Sequence, residues 1–450
     1  MDLRHYVDRV AEGRAISRAK TVLALLGLLA FPVIYGLVTG WNPLPGWYDK
    51  ISKISTEPKL STPGPVWTVR AGDQAGSALV GGGVVVVFES GTVEGRDTAG
   101  KQVWTGDVSW AVVAGSGPRG GPVVLLGKRG GGYRAVDPFD GRTRWSEPKA
   151  FGVWAYADLV IDIDCTDMLA CTLRGRSPGT GAVRWQSAFD GNGRAFAGAN
   201  RGVAGVRPLD ARYASSQATV PPPAPRLLGL RLDDQVKVYA TRNGQQLRSY
   251  PERAGDWVSV TGNRVLVVTA SFRGGTCRYT VSGRDPTSGA EVWHRAGWDL
   301  NTADGMGCDQ SRDPVGGGGL VAAVSPDGRD ALLDPQTGNP VFEAPSGQSL
   351  LATDGTVIVV RAGDAVRAVR RSGTTLWHRS ASRHSVVGLA AGTVLIFDPD
   401  AGRLAALRGT NGQVLVDVKS SATVLGYTDG GLLIGSGRSV GLLAYGSVAP

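Results

Sequence analysis

The stretch Tyr133–Trp145, YRAVDPFDGRTRW, reads as a strand, a tight Asp-Pro-x-x-Gly turn and a second strand closed by tryptophan. Asp137 can accept hydrogen bonds from backbone N–H groups of the turn, the following proline fixes φ, and Gly141 supplies a positive φ. Versions of the stretch recur along most of the chain. Aligned on the turn glycine they fall at Gly100, Gly141, Gly181, Gly244, Gly289, Gly338, Gly373 and Gly412. An aromatic residue follows four positions later in six copies, as Trp104, Trp145, Trp185, Trp293, Phe342 and Trp377, while Arg248 and Val416 hold that position in the other two.

Successive glycines are 35 to 49 residues apart, except for one interval of 63 that contains a proline-rich insertion, Pro208–Arg226. A period near 40 marks a stacked or radial repeat. Between the turns lie short β-branched runs bounded by glycine: Gly83–Phe88, Pro122–Leu126, Val265–Thr269, Thr356–Val360 and Thr393–Phe397. Runs of this length are strands, and no stretch beyond Thr39 keeps a helical period. Each period therefore holds about four strands, one blade of an all-β propeller. Recurrence of Asp137, Asp285 and Asp334 at one turn position makes them structural, and each tryptophan offers a plane to wedge between neighbouring blades. Pro65–Val69 supplies the outer strand missing after Ala422–Gly446, so the two ends of the propeller close the ring. Eight blades are expected. A literal count gives nine, with the irregular Gly244 unit as the suspect copy.

Composition agrees. Among 450 residues are 66 Gly and 25 Pro, too many turn formers for a helical protein, and 42% hydrophobic residues suffice for a core. The net charge of +9 is carried mainly by arginine without a clustered basic run, so nucleic acid is not an expected partner.

Residues 21–39 are uncharged and long enough to cross a bilayer. Arg4, Arg9, Arg14, Arg18 and Lys20 precede them, which places residues 1–20 in the cytoplasm. No small-x-small cleavage pattern closes the segment, so the reading is an uncleaved signal anchor rather than a removed signal peptide. Residues 40–63 read as a proline-rich linker and residues 64–450 as the extracytoplasmic propeller.

Four cysteines allow three pairings. The local choice joins Cys165 to Cys171 and Cys277 to Cys308. Asp162, Asp164 and Asp167 form an acidic cluster, with Asp162 and Asp164 on one face of a strand. Carboxylates suit hard cations, but a solvated loop is the preferred reading of this cluster. Trp110, Trp154 and Trp257 fall in expected inner strands, where they fill core or channel or stack on a planar ligand. The histidines, His5, His294, His378 and His384, are scattered, and no catalytic motif appears.

The recurring pattern Ala-x-Asp-x-x-x-Gly-x-x-x-Trp resembles the repeat of PQQ-like, quinoprotein-type propellers over about Gly64–Ser447. The resemblance implies a propeller, most often of eight blades, and two functional branches: quinone-dependent dehydrogenases and cofactor-free scaffolds. In the enzymes it implies calcium held by acidic and amide side chains beneath the quinone, and in some members a vicinal disulfide. This chain has no adjacent cysteines and no matching calcium motif. The expectation is therefore a non-catalytic scaffold without a cofactor, binding envelope or membrane proteins in cell-envelope assembly or secretion. A surface sensor binding glycan or anionic cell-wall polymer is the alternative, and a dehydrogenase the remote one.

Overall fold

The computed structural model describes residues 60–447 apart from 71–76, 82–83, 90, 117–120, 129–130, 167–169, 192–195, 210–220, 233, 304–307, 429 and 437–438. The anchor 21–39, the segment 1–20 and most of the linker lie outside the described residues. Among the described residues there is no α-helix, hence none long and apolar enough to cross a membrane.

The strands form nine sheets in chain order: sheet 1 (77–107), sheet 2 (110–147), sheet 3 (150–190), sheet 4 (227–251), sheet 5 (256–296), sheet 6 (315–343), sheet 7 (348–380), sheet 8 (386–419) and sheet 9 (423–444 with Trp67–Arg70). Eight have the four antiparallel strands of a full blade. Sheet 4, which carries Gly244, has three. The fold is thus a propeller of eight full blades, and the literal ninth copy is the irregular unit suspected from sequence. First strands of adjacent sheets lie side by side, as in sheets 1 and 2, 7 and 8, and 9 and 1. The apolar runs supply second strands, such as Val123–Gly127, whose residues are all buried.

Closure occurs as the sequence implied. Trp67–Arg70 pairs antiparallel with Ser439–Ala444, Trp67 opposite Leu442, which removes one open edge. The end of the expected linker is part of the propeller: Ser61 is buried and Thr62 bridges to Lys419 on the outer strand of sheet 8.

The repeated turn explains the junctions between sheets. The Gly141 N–H donates to the Asp137 carbonyl at 2.9 Å, and the Phe139 N–H donates to the Asp137 carboxylate at 2.8 Å. Asp285 and Asp334 make the same carboxylate bonds to Thr287 and Gln336. Gly141 has φ +70°, and a Cβ there would lie 2.7 Å from Cγ of Trp104 in the preceding sheet. The same indole lies over its own sheet, where a Cβ on its cross-strand partner Gly95 would meet the Trp104 Nε1 at 2.1 Å. Trp104 is therefore held between two glycines, and its Nε1–H donates to the Pro138 carbonyl at 2.7 Å. Trp145, Trp293 and Trp377 repeat that bond to Pro178, Pro335 and Gly409, and Trp67 makes it to Thr98. Trp185 covers Gly244 in the same way, and in sheet 4 the Arg248 guanidinium covers Gly289. Opposite Trp104, Trp145, Trp185, Trp293 and Trp377 stand small residues, Gly95, Ala135, Gly175, Gly283 and Ala368, whereas Trp67 stands opposite Leu442.

Removing one wedge deletes a large buried plane and its hydrogen bond. Trp104→Ala is expected to destabilise the propeller by about 3–5 kcal/mol, read as a lower urea midpoint. A loss below about 1 kcal/mol would contradict the wedge as a principal inter-sheet contact.

Candidate functional site

Antiparallel order sorts the connections into two ends of the ring. First-to-second and third-to-fourth turns, including every Asp-x-x-x-Gly turn, share one end. Second-to-third hairpins and the links between sheets share the other. The features that break the repeat begin at this second end. Cys165 and Cys171 face each other across the second and third strands of sheet 3 and are disulfide-bonded. Cys277, on the corresponding hairpin of sheet 5, is bonded to Cys308 in the link to sheet 6. Both bonds follow the local pairing read from sequence.

The sheet 5 hairpin is the longest in the ring, with strands Arg264–Arg273 and Thr276–Arg284. Near its tip Phe272 is 67% exposed and directly opposite Cys277, with exposed Arg273 and Arg278 beside it. Phe272 is thus outside the core and open to a partner, on a hairpin held by a disulfide.

The insertion starts earlier than Pro208. From Phe196 to Leu209 the chain forms a strap along the inner edges of four sheets. Gly198 and Ala199 pair with Gly152 and Val153 of sheet 3. Val203 then bridges Leu230 of sheet 4, Gly205 bridges Val260 of sheet 5, and Arg207 and Pro208 pair with Val315 and Gly316 of sheet 6. The strap takes the place of the first strand that sheet 4 lacks. Its close approach needs glycine: a Cβ on Gly152 would lie 2.2 Å from the Phe196 carbonyl oxygen. Phe196 is fully buried, edge-on to Trp154 and Phe189. The Trp154 Nε1–H donates to the Arg201 carbonyl at 3.0 Å. Trp257, also on a first strand, donates to Asp313 at 2.9 Å and lies under the Arg231 guanidinium at 3.9 Å. Asp313 additionally accepts from Ser259 at 2.8 Å and Arg231 at 3.2 Å. Trp110 packs on Tyr133 at 6.1 Å.

Beside the strap lies a cavity of about 440 Å³ formed by Tyr156, the Pro222–Pro223 pair, Thr261, the Gly316–Gly319 turn and Thr353 among others. None of its lining residues is acidic, basic or an amide. The calcium-bound quinone of the dehydrogenase branch needs acidic and amide ligands, so these residues do not fit that group.

The acidic cluster corrects the solvated-loop reading. Asp162 lies in the Val160–Thr166 strand and is wholly buried. Its carboxylate accepts from Arg174 Nε at 2.8 Å, Arg176 Nε at 2.5 Å and the Tyr133 hydroxyl at 2.9 Å. Glu147, from sheet 2, accepts from Arg176 at 2.5 Å, and half-buried Asp164 lies 3.4 Å from Arg174. Burial and then the Asp162 charge push the Tyr133 phenol well above its ordinary pKa, which keeps it the donor. Asp167 lies outside the described residues. Both Asp162 oxygens are engaged by cations and a phenol, so the cluster is an ionic clamp between sheets 2 and 3. Among the described residues no group of acidic, histidine or cysteine side chains could hold a metal ion. Sequence reading missed Arg174 and Arg176. Their signal was alternation, because two arginines two residues apart share the strand face that pairs with Asp162 and Asp164. His294 and His384 are exposed and paired with Glu291 and Asp400, and exposed His378 stands opposite Arg367.

A family model described as outer membrane protein assembly factor BamB matches residues 278–427. The PQQ-like repeat resemblance is therefore borne out over that third of the chain. Solved structures with matching folds include BamB from Moraxella catarrhalis, at 19% identity and TM-score 0.34, covering 79% of this chain and 96% of that one. A quinohemoprotein alcohol dehydrogenase, ADHIIG from Pseudomonas putida HK5, matches at 12% identity and TM-score 0.37, covering 86% and 78%. A eukaryotic initiation factor matches at 10% identity and TM-score 0.42, covering 77% and 88%. Likeness this distant carries no functional argument. No curated protein matches the sequence.

Cutting the ionic clamp at its centre removes the one wholly buried carboxylate shared by Arg174 and Arg176, leaving them only the carboxylates of Glu147 and Asp164 at the margins. Asp162→Asn is expected to cost about 3–5 kcal/mol, seen as a lower urea midpoint. Retention of wild-type stability would show that Arg174 and Arg176 are satisfied without Asp162.

Proposed function

We propose that the protein is a non-catalytic, membrane-anchored scaffold whose propeller binds other envelope proteins outside the cytoplasm. The observation that carries this reading is the gathering of cross-linked and irregular elements at one end of an otherwise regular ring. Parts repeated around a ring hold the ring together. The end where copies differ is where a particular partner can be recognised, and there the Phe272 hairpin supplies an aromatic anchor flanked by cations.

Two further observations support the reading. All four cysteines are in disulfides, which persist in oxidising compartments, and residues 21–39 have the composition of an uncleaved anchor preceded by positive charge. The family model over 278–427 is named for an assembly factor, and a scaffold in envelope assembly is the role taken from it here.

Cross-linking the full-length protein in its native membrane and identifying the captured proteins should give a defined partner whose yield falls at least about tenfold in Phe272→Asp, the scale expected for an anchor side chain. Recovery of no protein above background, or an unchanged set with Phe272→Asp, would overturn the reading. Protease added outside intact cells is expected to digest the propeller. Its survival there, with digestion after lysis, would overturn the orientation.

A further inference from the structure

Seven of the nine junctions between sheets are closed alike, by an indole or guanidinium plane laid over the turn glycine of the next sheet. Across these seven, a Cβ on the turn glycine would lie 2.2–2.7 Å from that plane. The junction between sheets 6 and 7 departs from this. Phe342 stands at the tryptophan position, and its cross-strand partner is Leu332 instead of glycine or alanine. Phe342 instead packs into the cluster with Leu332, Val360 and Val369, where it is only 8% exposed. A Cβ on Gly373 would meet nothing within 4 Å.

The space left over is a cavity of about 350 Å³ bounded by Pro340, Phe342, Gln348, Arg367, Arg371 and Gly373. That lies at the small end of ligand pockets, on the order of 300–1,000 Å³, a size suited to one large side chain and its adjoining backbone. The Gly373 turn has the short form of the Gly100 turn: each glycine N–H donates at 2.9 Å to a carbonyl three residues back. In the Gly100 turn the Thr98 carbonyl receives the Trp67 indole N–H. The Arg371 carbonyl holds the corresponding place, and Phe342 has no N–H to give it. The rim is cationic. Among the described residues neither Arg367 nor Arg371 forms an ion pair, while Glu343, which also lines the cavity, is taken by Arg329 at 2.6 Å.

We propose that this notch receives a tryptophan side chain from an acidic, extended segment of a partner protein. The inference rests on the scaffold reading and names a second contact for it. Five of the chain's other junctions show what shape fits against a turn glycine, namely an indole with its N–H aimed at the turn carbonyl. Arg367 and Arg371, whose only described polar bond is that of Arg371 Nε to the Gly355 carbonyl at 2.6 Å, call for carboxylates on either side of that ring.

The test is fluorescence-anisotropy titration of the detergent-solubilised full-length protein with a labelled peptide of acidic residues around one tryptophan. Saturable binding is expected, weakened at least about tenfold when the peptide tryptophan is alanine, as for other aromatic anchors. Phe342→Trp, which fills the notch from within, and Arg367→Glu, on an exposed side chain, should each weaken it by a similar factor. Should Phe342→Trp fail to fold against Leu332, the double variant Leu332→Gly with Phe342→Trp recreates the glycine–tryptophan pair of sheets 1, 3 and 5 and carries the same expectation. No binding, equal binding of the alanine peptide, or undiminished binding to the filled variants would overturn the proposal. Equally tight binding of polyglutamate would do so too, marking a charged surface only. Loss of captured partners in Phe272→Asp alongside unchanged peptide binding by the notch variants would leave the scaffold standing and remove the notch.

Discussion

The whole ring depends on how a flat side chain is held between two places that lack a Cβ or carry only a small one. Every wedge tryptophan lies over a turn glycine of the next sheet, and all but Trp67, which stands opposite Leu442, face a glycine or alanine of their own sheet, as Trp104 does between Gly95 and Gly141. Large apolar area is buried, and in every wedge but Trp185 the indole N–H, which would otherwise be a cost, ends on a turn carbonyl. The turn presents that carbonyl because its glycine takes a positive φ, and in the Asp97, Asp137, Asp285 and Asp334 turns a carboxylate also ties down the neighbouring N–H groups. Turn, small cross-strand partner and tryptophan are therefore one unit, and changing any one of them changes the junction. Sheet 6 is the departure: Phe342 stands where seven of the sheets have an indole or guanidinium, and the turn glycine of sheet 7 stays uncovered.

This coupling explains which parts of the structure were legible in the residues. Tyr133–Trp145 shows its turn chemistry, its strands and its wedge because each has a local cause and recurs at a near-constant interval. The strap was not legible. Phe196–Leu209 has no strand-like alternation and is held mostly by backbone bonds to Gly152, Gly229 and Val260, which no side-chain pattern records. The ionic clamp was half legible. Asp162 and Asp164 stand out, but their burial is decided by Arg174 and Arg176 on the next strand and by Glu147 from another sheet. A charge in a strand looks solvated until its cross-strand partner is known.

The junctions of the ring are not equally apolar. Sheets 2 and 3 are joined by the wedge and also by the clamp that runs from Glu147 through Arg176 to Asp162. Sheets 7 and 8 have a similar supplement, since Asp417 of sheet 8 accepts from Arg379 of sheet 7 at 2.5 Å and also binds Arg403. Burial would raise the Asp417 carboxyl, but the two guanidinium groups outweigh it and hold it below the usual carboxylate range. Buried ion pairs add less stability than apolar contact but penalise wrong partners strongly. Set at particular junctions, they help nine similar sheets keep their order in a ring whose repeats could otherwise pair interchangeably.

Sheet 9 has a consequence in time as well as in space. It is built from Trp67–Arg70 and from the last strands of the propeller, so its cross-strand contacts join segments nearly a full propeller apart in the chain. Loop-closure entropy makes such contacts late ones. On a ribosome, the early sheets emerge and stack while their closing strands are still unmade, leaving an arc with two open strand edges. That arc is the form most exposed to wrong strand pairing, and the arrival of strands Thr423–Ala444 turns it into a closed ring.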